Sequence, residues 1–305
     1  MSQPPSPLRL RLPATSANLG PGFDALGLAM ALYLTIDARI ADAFSIDATG
    51  RDAELCGRLD DNLILETYTS VVTSASREVL PLRLKLENEI PLGMGCGSSA
   101  AALLAGVAMA NHFGELGWTG QQILEEACRR EGHPDNVAAC WLGGMTASAM
   151  SGSEVITATC GQNINWRLML ALPDASLSTT KARALLPDSY SRADAISNVQ
   201  NTALLVAAFA LDRPDLLRAA MSDHIHQPYR KQACPLLPLL LPLAGKDGIF
   251  GVSLSGAGPS VLLIADNLTF LGNFYAVIRR AAGDEKLEII ETKVASGAYI
   301  DLIAK

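Results

Sequence analysis

The chain has 305 residues, 49% of them hydrophobic and 18% charged, which is enough for two compact domains and excludes extensive disorder. A formal net charge of −7, with no Lys/Arg cluster longer than a pair, excludes a general nucleic-acid surface and favours small ligands. The sequence has no apolar run of membrane-spanning length and no leader pattern, so we expect no membrane partner and a cytoplasmic location. The six cysteines form no CxxC pair, which is typical of free thiols in a reducing compartment.

The N-terminal segment reads as a strand followed by a structured loop. Residues 1–7 contain three prolines, and we expect a loose leader there. From Leu8 the alternation L-R-L-R-L predicts a strand with one buried face. The proline and glycine breaks between Pro13 and Met30 predict a shaped loop. Its Asn18 and Asp24 are compatible with ordinary Asx-turns, and composition alone favours neither a turn nor a binding role.

The next elements lead to a glycine-rich stretch. Tyr33 to Ala48 predicts one or two strands, and Asp60-Asp61-Asn62 caps a helix of about 15 residues that begins at Leu63. Leucines then alternate with charged residues from Leu82 to Glu87. This alternation predicts the strand that delivers the stretch which follows.

The segment Pro91 to Ala101, PLGMGCGSSAA, carries the strongest chemical signal. Alternating glycines precede two serines: Gly93, Gly95, Gly97, Ser98 and Ser99. A run of helical composition continues to Asn111. Glycines allow positive φ and close approach of backbone N–H groups to one ligand, and a helix N-terminus favours phosphate. The hydroxyls suit a phosphate oxygen or a magnesium ion.

Three other readings of this loop fit the sequence less well. Any tight strand-to-helix turn can use glycine and serine, but the full combination favours phosphate binding. The loop is not of the Walker type, because no GxxxxGK[ST] occurs in the chain. It is also a poor dinucleotide fingerprint, because Ser98 stands where G-x-G-x-x-G has its third glycine.

A second polar cluster follows a helix that opens with the capping box Thr119-x-x-Gln122. Glycine and proline end this helix and gather four polar side chains at a turn: Glu131, His133, Asp135 and Asn136. A carboxylate at a helix end is usually solvated. However, a phosphate loop without a Walker-B aspartate needs some other carboxylate to hold magnesium.

The second half begins near residue 165, where a buried strand starts at Arg167, so we expect domains at 1–165 and 166–305. Thr179 and Arg183 fall on one face of a short helix. Two long helices are predicted, at Asp194 to Leu211 and Pro214 to His226.

The last elements predict a small sheet. Strands at Ile249 to Leu254 and Val261 to Ile264 flank the turn Ser255 to Ser260, which reads as a hairpin. A helix from Leu268 to Ala282 and a strand from Leu287 to Val294 follow. The resulting β-α-α-β-β-α-β order is compatible with a ferredoxin-like sheet.

Six motifs, in order, resemble those of the GHMP kinases: PATSANLGPGFD, PLGMGCGSSAA, EGHPDNVA, STTKAR, HQPYR and SGAGPS. The first and third are similar to motifs of the homoserine kinases within that superfamily. Cys96 replaces the usual leucine and Ala139 the usual proline. We expect these two departures to affect packing more than chemistry.

The resemblance implies a fold and a reaction. The fold class would be α+β, a two-domain GHMP kinase fold in which an N-terminal domain like domain 2 of ribosomal protein S5 precedes a ferredoxin-like C-terminal domain. The reaction would transfer the γ-phosphoryl group of ATP to L-homoserine, with Mg2+, giving O-phospho-L-homoserine for threonine biosynthesis. The alternatives are another GHMP kinase, such as a mevalonate-pathway enzyme, and a non-catalytic ligand sensor. The intact Glu131 and the Ser98-Ser99 pair weigh against a sensor.

The resemblance also implies site residues. Those for ATP are Asn62, Pro91, Leu92, Gly93, Met94, Gly95, Cys96, Gly97, Ser98, Ser99, Ala100 and Ala101. Those for the metal are Ser98, Ser99 and Glu131. Those for homoserine are Asn18, Asp24, His133, Asn136, Thr179, Arg183, Arg230, Gly256 and Gly258. The catalytic group is Asn136, Asp135, Glu131 and Ser98.

Charge supports an amino-acid substrate, because an ammonium group needs an anion and a carboxylate suits a guanidinium fork. Asp24 can supply the first, and Arg183 with Arg230 the second. Whether a general base acts is left open, with Asp135 as the local candidate and His133 expected to be structural. The oligomeric state is also open, with a homodimer among the expected forms.

Cys96 has two readings. Near a helix N-terminus the dipole favours thiolate, which raises reactivity if the sulfur can be reached. Alternatively, the side chain points inward like the family's leucine and is an inert small hydrophobe.

Overall fold

The computed structural model describes residues 5–303, so residues 1–4 of the expected leader lie outside the described residues. The strands of the first half are β1 (Leu8–Asn18), β2 (Gly22–Ile40), β3 (Ser45–Gly50), β4 (Leu82–Asn88), β5 (Met145–Ser151) and β6 (Glu154–Cys160). Its helices are α1 (Ala53–Cys56), α2 (Leu63–Ser74), α3 (Ser98–Phe113), α4 (Gly120–Glu131) and α5 (Asp135–Leu142).

The second half contains four strands that form one sheet: β7 (Arg167–Leu172), β8 (Ile249–Leu254), β9 (Val261–Ala265) and β10 (Glu288–Thr292). Its helices are α6 (Thr179–Arg183), α7 (Arg192–Ala210), α8 (Leu217–Ala220), α9 (Gln227–Arg230), α10 (Leu236–Leu240) and α11 (Leu271–Ala282). Two 3-10 turns lie at Pro214–Leu216 and Leu241–Leu243, and a last strand is β11 (Tyr299–Leu302).

The first sheet has the order β11-β1-β2-β4-β3. In addition, β5 pairs with β2 on one side and with β6 on the other. On β1, Leu8, Leu10 and Leu12 are buried while Arg9 and Arg11 are exposed, as the alternation predicts. On β4 the leucines are likewise buried. Helices α2, α3 and α5 cover the buried face, so the glycine-rich loop between β4 and α3 lies at the edge of this core.

The second sheet is antiparallel throughout and has the order β10-β7-β9-β8. Its first and third strands in the chain are therefore central, which is the ferredoxin-like arrangement that the element order predicts. No helix within residues 5–303 combines the length and apolar character needed to cross a membrane.

The prediction of a shaped loop between Pro13 and Met30 is wrong. Most of this stretch belongs to β1 and β2, and only residues 19–21 form the turn between them. The pairing shifts register between Pro13 and Ala14 and again between Ala17 and Asn18. Such irregularities let a strand accommodate proline, so the breakers bend the ladder without ending it.

The predicted long helix from Pro214 to His226 is also wrong, since only a 3-10 turn and the short α8 form there. The Asp223 carboxylate accepts hydrogen bonds from the backbone N–H groups of Ile225, His226 and Gln227. This aspartate therefore caps a new turn that leads into α9.

The C-terminal strand β11 was not predicted, and it does not belong to the second sheet. It pairs antiparallel with β1, from Leu8 opposite Leu302 to Arg11 opposite Tyr299. The expected second unit, 166–305, thus sends its last strand back to the first sheet. All four residues of β11 are exposed, so no alternation marked it in the sequence.

Candidate active site

The glycine-rich loop adopts the backbone that its composition predicts. Gly93, Gly95 and Gly97 have φ values of +70°, +74° and +70°, a region that glycine enters without strain. Gly97 is the N-cap of α3, and the helix begins at Ser98. The first N–H groups of α3 therefore face the end of the loop, which is an arrangement suited to an anion.

Contacts from the second half hold this loop in place. The Ser255 hydroxyl donates to the Gly95 carbonyl at 2.8 Å. The Leu177 backbone N–H donates to the Gly93 carbonyl at 3.4 Å. The loop is thus fixed both by the turn between β8 and β9 and by the segment before α6.

A cavity of about 180 Å³ lies at the loop, and both halves contribute to its walls. Its lining includes every residue predicted for homoserine: Asn18, Asp24, His133, Asn136, Thr179, Arg183, Arg230, Gly256 and Gly258. It also includes the loop glycines with Cys96, Ser98, Ser99, Glu131 and Asp135. Lining residues that sequence reasoning missed are Phe23, Leu177, Ser178 and Ala257.

A neighbouring cavity of about 380 Å³ shares Ser98 and Ser99 with the first. Its walls are Leu34, Leu55, Cys56, Arg58, Asp60, Asp61, Asn62, Leu63, Ile64, Leu86, Asn88, Ile90, Leu92 and Ala102. Of the residues predicted for ATP, Pro91, Met94, Ala100 and Ala101 line neither cavity. Ala100 and Ala101 are fully buried and pack in the core.

Asn62 forms part of this second wall, but its side chain is already used. Its carbonyl oxygen accepts from the N–H groups of Ile64 and Leu65, so it is the N-cap of α2 that the sequence predicts. Its NH2 group donates to the carbonyls of Cys56 and Arg58. A ligand there would meet Asn62 mainly through van der Waals contact.

The two side chains predicted to bind opposite ends of an amino acid are paired with each other. Arg183 donates to both carboxylate oxygens of Asp24, at 3.0 Å and 2.6 Å. The Asp24 backbone N–H donates to Asn18, whose amide in turn donates to the Gly256 carbonyl. Since both charged groups are partly exposed to the cavity, a zwitterion can replace each partner with a group of the same charge.

Arg230 is only 1% exposed, yet it lines the cavity. Its Nε donates to the Ala182 carbonyl at 3.2 Å and its Nη1 to His226 Nδ1 at 3.0 Å. The guanidinium lies 5.6 Å from the Phe23 ring centre. Burial lowers the pKa of Arg230, and the positive charge of Arg183 lowers it further.

Glu131 is placed beside the start of α3. The Ser99 hydroxyl donates to Glu131 Oε2 at 2.9 Å, whereas Ser98 has no such contact among the described residues. Burial raises the pKa of Glu131, and this outweighs the favourable charge of His133 and the hydrogen bond from Ser99. A carboxylate that lacks a full counter-charge, next to a hydroxyl, fits a hard cation such as Mg2+.

His133 and Asp135 form a close pair, with 2.6 Å between Nδ1 and Oδ1. Burial pushes the pKa of His133 down, but the hydrogen bond and negative charge of Asp135 raise it above its ordinary value. The ligand atoms of Asp24, His133 and Asp135 lie within 4.8 Å of one another, a cluster that the sequence did not predict as a metal site. Arg183 already neutralises Asp24, and His133 faces Asp135, so these charges are balanced within the protein.

Thr15 orients Asn136 and was also missed by sequence reasoning. Its hydroxyl donates to Asn136 Oδ1 at 2.7 Å, and its backbone N–H donates to the Cys96 carbonyl at 3.0 Å. Its position inside the PATSAN motif was the available signal. β1 thereby connects the glycine-rich loop with the N-terminal end of α5.

Cys96 points inward, with 1% of its surface exposed. Burial raises the pKa of its thiol to about 12, despite the nearby helix N-terminus. The structure thus favours the reading of Cys96 as an inert small hydrophobe.

Comparisons with known proteins identify a family, related sequences and a similar fold. A family model described as the GHMP kinases N terminal domain matches residues 62–144, and one described as GHMP kinases C terminal matches residues 205–282. The homoserine kinase of Solibacter usitatus is 49% identical over 86% of this chain and 86% of that protein. The homoserine kinase of Deinococcus radiodurans is 40% identical over 87% of each. A solved homoserine kinase structure from Cytophaga hutchinsonii, at 23% identity, has a TM-score of 0.79 over 99% of both chains, a likeness of fold.

Proposed function

Because this chain belongs to the homoserine kinases of the GHMP kinase family, we propose how its residues divide the work of that reaction. The reaction transfers the γ-phosphoryl group of ATP to the side-chain hydroxyl of L-homoserine. The product is O-phospho-L-homoserine, an intermediate of threonine biosynthesis. Phosphoryl transfer asks for little covalent chemistry from the protein, so positioning and charge stabilisation carry most of the acceleration.

One observation carries the substrate assignment: Asp24 and Arg183 pair directly beside the phosphate loop. Homoserine carries an ammonium group for Asp24 and a carboxylate for Arg183, with Arg230 as the second guanidinium. Mevalonate and sugars have no ammonium group and would leave Asp24 without a ligand partner. Asn18 holds Asp24 in place, while Thr179, His133, Gly256 and Gly258 complete the wall.

The nucleotide is proposed to span both cavities. Its phosphates would meet the backbone N–H groups of the loop residues that line the cavity, Gly93, Gly95, Gly97, Ser98 and Ser99, where the loop and the start of α3 converge. Its base would occupy the apolar second cavity, which shares Ser98 and Ser99 with the first. Leu34, Leu86 and Ile90 supply apolar surface for a planar base.

Magnesium is proposed to bind Glu131 with Ser99, or with Ser98, which lines both cavities. When bound, the ion supplies positive charge near the phosphates. The Glu131 carboxylate would bind the ion. Asn136 would orient the homoserine hydroxyl, and the hydrogen bond from Thr15 fixes the Asn136 amide. Asp135 is the candidate to receive the hydroxyl proton, although it already accepts hydrogen bonds from His133 and from the Asn136 backbone.

The direct test is a coupled assay of ADP release at fixed ATP, run with L-homoserine, mevalonate and galactose. We expect turnover with homoserine and, at equal concentration, at least 100-fold less with the other two. Preference for mevalonate would make the chain a different GHMP kinase. Binding of ATP and homoserine without ADP release would make it a ligand sensor.

A cytoplasmic location and a homodimer are further proposals. The six cysteines are all free thiols, which suits a reducing compartment. The edge strand β11 exposes Tyr299, Ile300 and Leu302, which could support contact between two copies. Sedimentation equilibrium across a range of protein concentrations would test the dimer.

A further inference from the structure

A buried histidine stands behind the substrate cavity without lining it. His226 precedes α9 and is 0% exposed. Its ring lies 5.5 Å, centre to centre, from that of Phe23, the neighbour of Asp24. The ring is thus next to the start of β2, beside a residue that lines the cavity.

The hydrogen bonds of His226 determine its tautomer. Arg230 Nη1 lies 3.0 Å from Nδ1, and because arginine can only donate, Nδ1 must be the unprotonated acceptor. The ring proton is then on Nε2, which donates to the Gly20 carbonyl at 2.8 Å. Both ring nitrogens are therefore used, and only the neutral Nε2–H form satisfies both partners.

The charged groups that act on the ring are Asp223, Arg230 and Asp24. Asp223 Oδ2 lies 3.5 Å from Nε2, but this carboxylate already accepts three backbone N–H groups. Burial lowers the pKa of His226, Arg230 lowers it further, and Asp223 with the Gly20 carbonyl and Asp24 acts in the opposite direction. The buried imidazole is therefore held neutral near pH 7.

The guanidinium of Arg230 is fixed on one side only. Nε is bound to the Ala182 carbonyl and Nη1 to His226, whereas Nη2 has no hydrogen-bond partner within the described part of the chain. Since Arg230 lines the cavity, the donors left free are those available to a ligand.

We propose that His226 is a positioning residue for the substrate carboxylate: as the neutral Nε2–H tautomer it accepts from Arg230 Nη1 and turns the remaining guanidinium donors toward the cavity. The inference rests on the proposed contact between Arg230 and that carboxylate. Protonation of Nδ1 would place two N–H donors and two positive charges face to face. Arg230 would then lose its support, and homoserine would bind more weakly.

Two variants separate the role of Nδ1 as a hydrogen-bond acceptor from the role of the rest of the His226 ring. His226→Asn keeps a carbonyl oxygen close to the position of Nδ1, whereas His226→Leu removes both ring nitrogens. For His226→Leu we expect the KM for homoserine to rise about 10-fold or more, with the KM for ATP unchanged. His226→Asn should stay within a few-fold of the parent protein. His224→Asn is the matched control, because His224 is partly exposed and contacts Asp194 instead.

A second substrate, tested as the phosphoryl acceptor, shows which end of homoserine is affected. 3-Amino-1-propanol is homoserine without its carboxylate, so it does not need Arg230. The ratio of kcat/KM for homoserine to that for this amino alcohol should fall about 10-fold in His226→Leu and remain near the parent value in His226→Asn. Thermal unfolding of each variant verifies that the protein is folded. If His226→Leu does not fold, His226→Asn and the pH profile below still decide the question.

The pH dependence gives an independent readout. In the parent protein, log(1/KM) for homoserine should fall as the pH drops below the pKa of His226, because the cation forms. His226→Asn has no ionisable group at this position and should lose that decline. His224→Asn should keep the parent profile.

Variants of Arg230 and His226 separate carboxylate binding by Arg230 from the positioning role of His226. If Arg230→Met keeps the parent preference for homoserine over the amino alcohol, Arg230 does not bind the carboxylate, and the role of His226 falls with it. If Arg230→Met loses that preference but a folded His226→Leu keeps it, the positioning role alone is overturned. A His226→Asn profile with the parent decline would overturn it as well.

Discussion

At the residue scale, two of the three carboxylates around the first cavity have a basic side chain as a direct partner, and the third does not. Asp24 has Arg183 and Asp135 has His133, but Glu131 has only the Ser99 hydroxyl as a direct partner. Burial raises the pKa of Glu131, because the smaller opposing effects of its neighbours do not offset the loss of solvent. The position that a cation would occupy is thus marked by the group whose charge is least compensated.

The first prediction concerns Glu131→Gln, which keeps the size of the side chain and removes its charge. We expect kcat to fall by about 100-fold or more, because the charge that holds magnesium is lost. Thermal stability should be unchanged or slightly higher, because a buried charge disappears. The measurement is ADP release as a function of Mg2+ concentration, with Glu125→Gln on the same helix as control. Parent-like turnover would remove Glu131 from the metal site.

The second prediction concerns Arg183→Lys, which keeps the charge and loses the two-pronged contact with a carboxylate. Homoserine binding should weaken by about 1 to 3 kcal/mol, while ATP affinity stays the same. Calorimetric titration with each ligand measures both, and Arg213→Lys, in an exposed pair with Asp215, is the control. A loss of ATP affinity instead would place Arg183 on the phosphates.

The third prediction uses the cysteines as reporters of the second cavity. Cys56 lines that cavity and Cys160 does not, while both are partly buried and in both burial raises the thiol pKa. Slow labelling by iodoacetamide should therefore reach both, and saturating ATP should protect only Cys56. Cys96 should stay unlabelled with or without ATP, since its pKa is about 12 and it is buried. Mass spectrometry of each cysteine gives the rates, and equal rates at Cys56 would exclude the nucleotide base from this cavity.

At the element scale, the site depends on where helices and strands begin and end. The loop delivers three glycines to the N-terminus of α3, and α4 ends where Glu131 meets Ser99. The short helices α6 and α9 each present one arginine to the cavity, Arg183 and Arg230. The N-terminal end of a helix leaves backbone N–H groups unpaired and the C-terminal end leaves carbonyl groups unpaired, whereas the helix interior pairs both.

The fourth prediction separates backbone strain from packing in the loop. Gly97 and Gly117 both have a φ of +70°, but a Cβ at Gly97 would overlap the Thr15 hydroxyl, whereas a Cβ at Gly117 has nothing within 4 Å. Gly117→Ala should therefore cost only about 1 kcal/mol of unfolding free energy. Gly97→Ala should cost more and also weaken ATP binding, because it displaces Thr15 and the start of α3. Denaturant unfolding and nucleotide titration of both variants test this, and equal effects would contradict the packing argument.

At the scale of the whole molecule, the two halves share a core, and the second half contributes its last strand to the first sheet. Leu8 of the first sheet and Leu168, Leu170 and Phe209 of the second half belong to one buried cluster. β11 returns to pair with β1. The cavity is lined from both halves, so its geometry depends on this shared packing.

The fifth prediction follows from the returning strand. Deleting residues 298–305 removes β11 and leaves an open edge on β1, so we expect a melting temperature several degrees lower and a greater tendency to aggregate. Hydrogen exchange should become faster at residues 8–11 and stay unchanged in β7 to β10. Deleting only residues 304–305, which lie outside β11, is the control. Faster hydrogen exchange confined to the second sheet would contradict the pairing of β11 with β1.

The sequence was sufficient wherever the cause of a structure is local. The alternation of β1 and β4, the Asn62 cap, the Thr119 capping box and the positive φ of the loop glycines all follow from side chains and their immediate neighbours. Much of the lining of the first cavity could also be predicted, through six motifs that follow one another in the order of a known family, but Phe23, Leu177, Ser178 and Ala257 could not.

Only the tertiary structure decided what depends on distant partners. β11 has no pattern of its own and exists because β1 offers an unpaired edge. The helix predicted after Pro214 ends early because Asp223 binds the backbone of a new turn. The pairing of Asp24 with Arg183, 159 residues apart, and the neutral His226 behind Arg230 arise only when the two halves pack together. Hydrogen bonds and charges act through space, so which groups satisfy one another is fixed by folding and not by position in the chain.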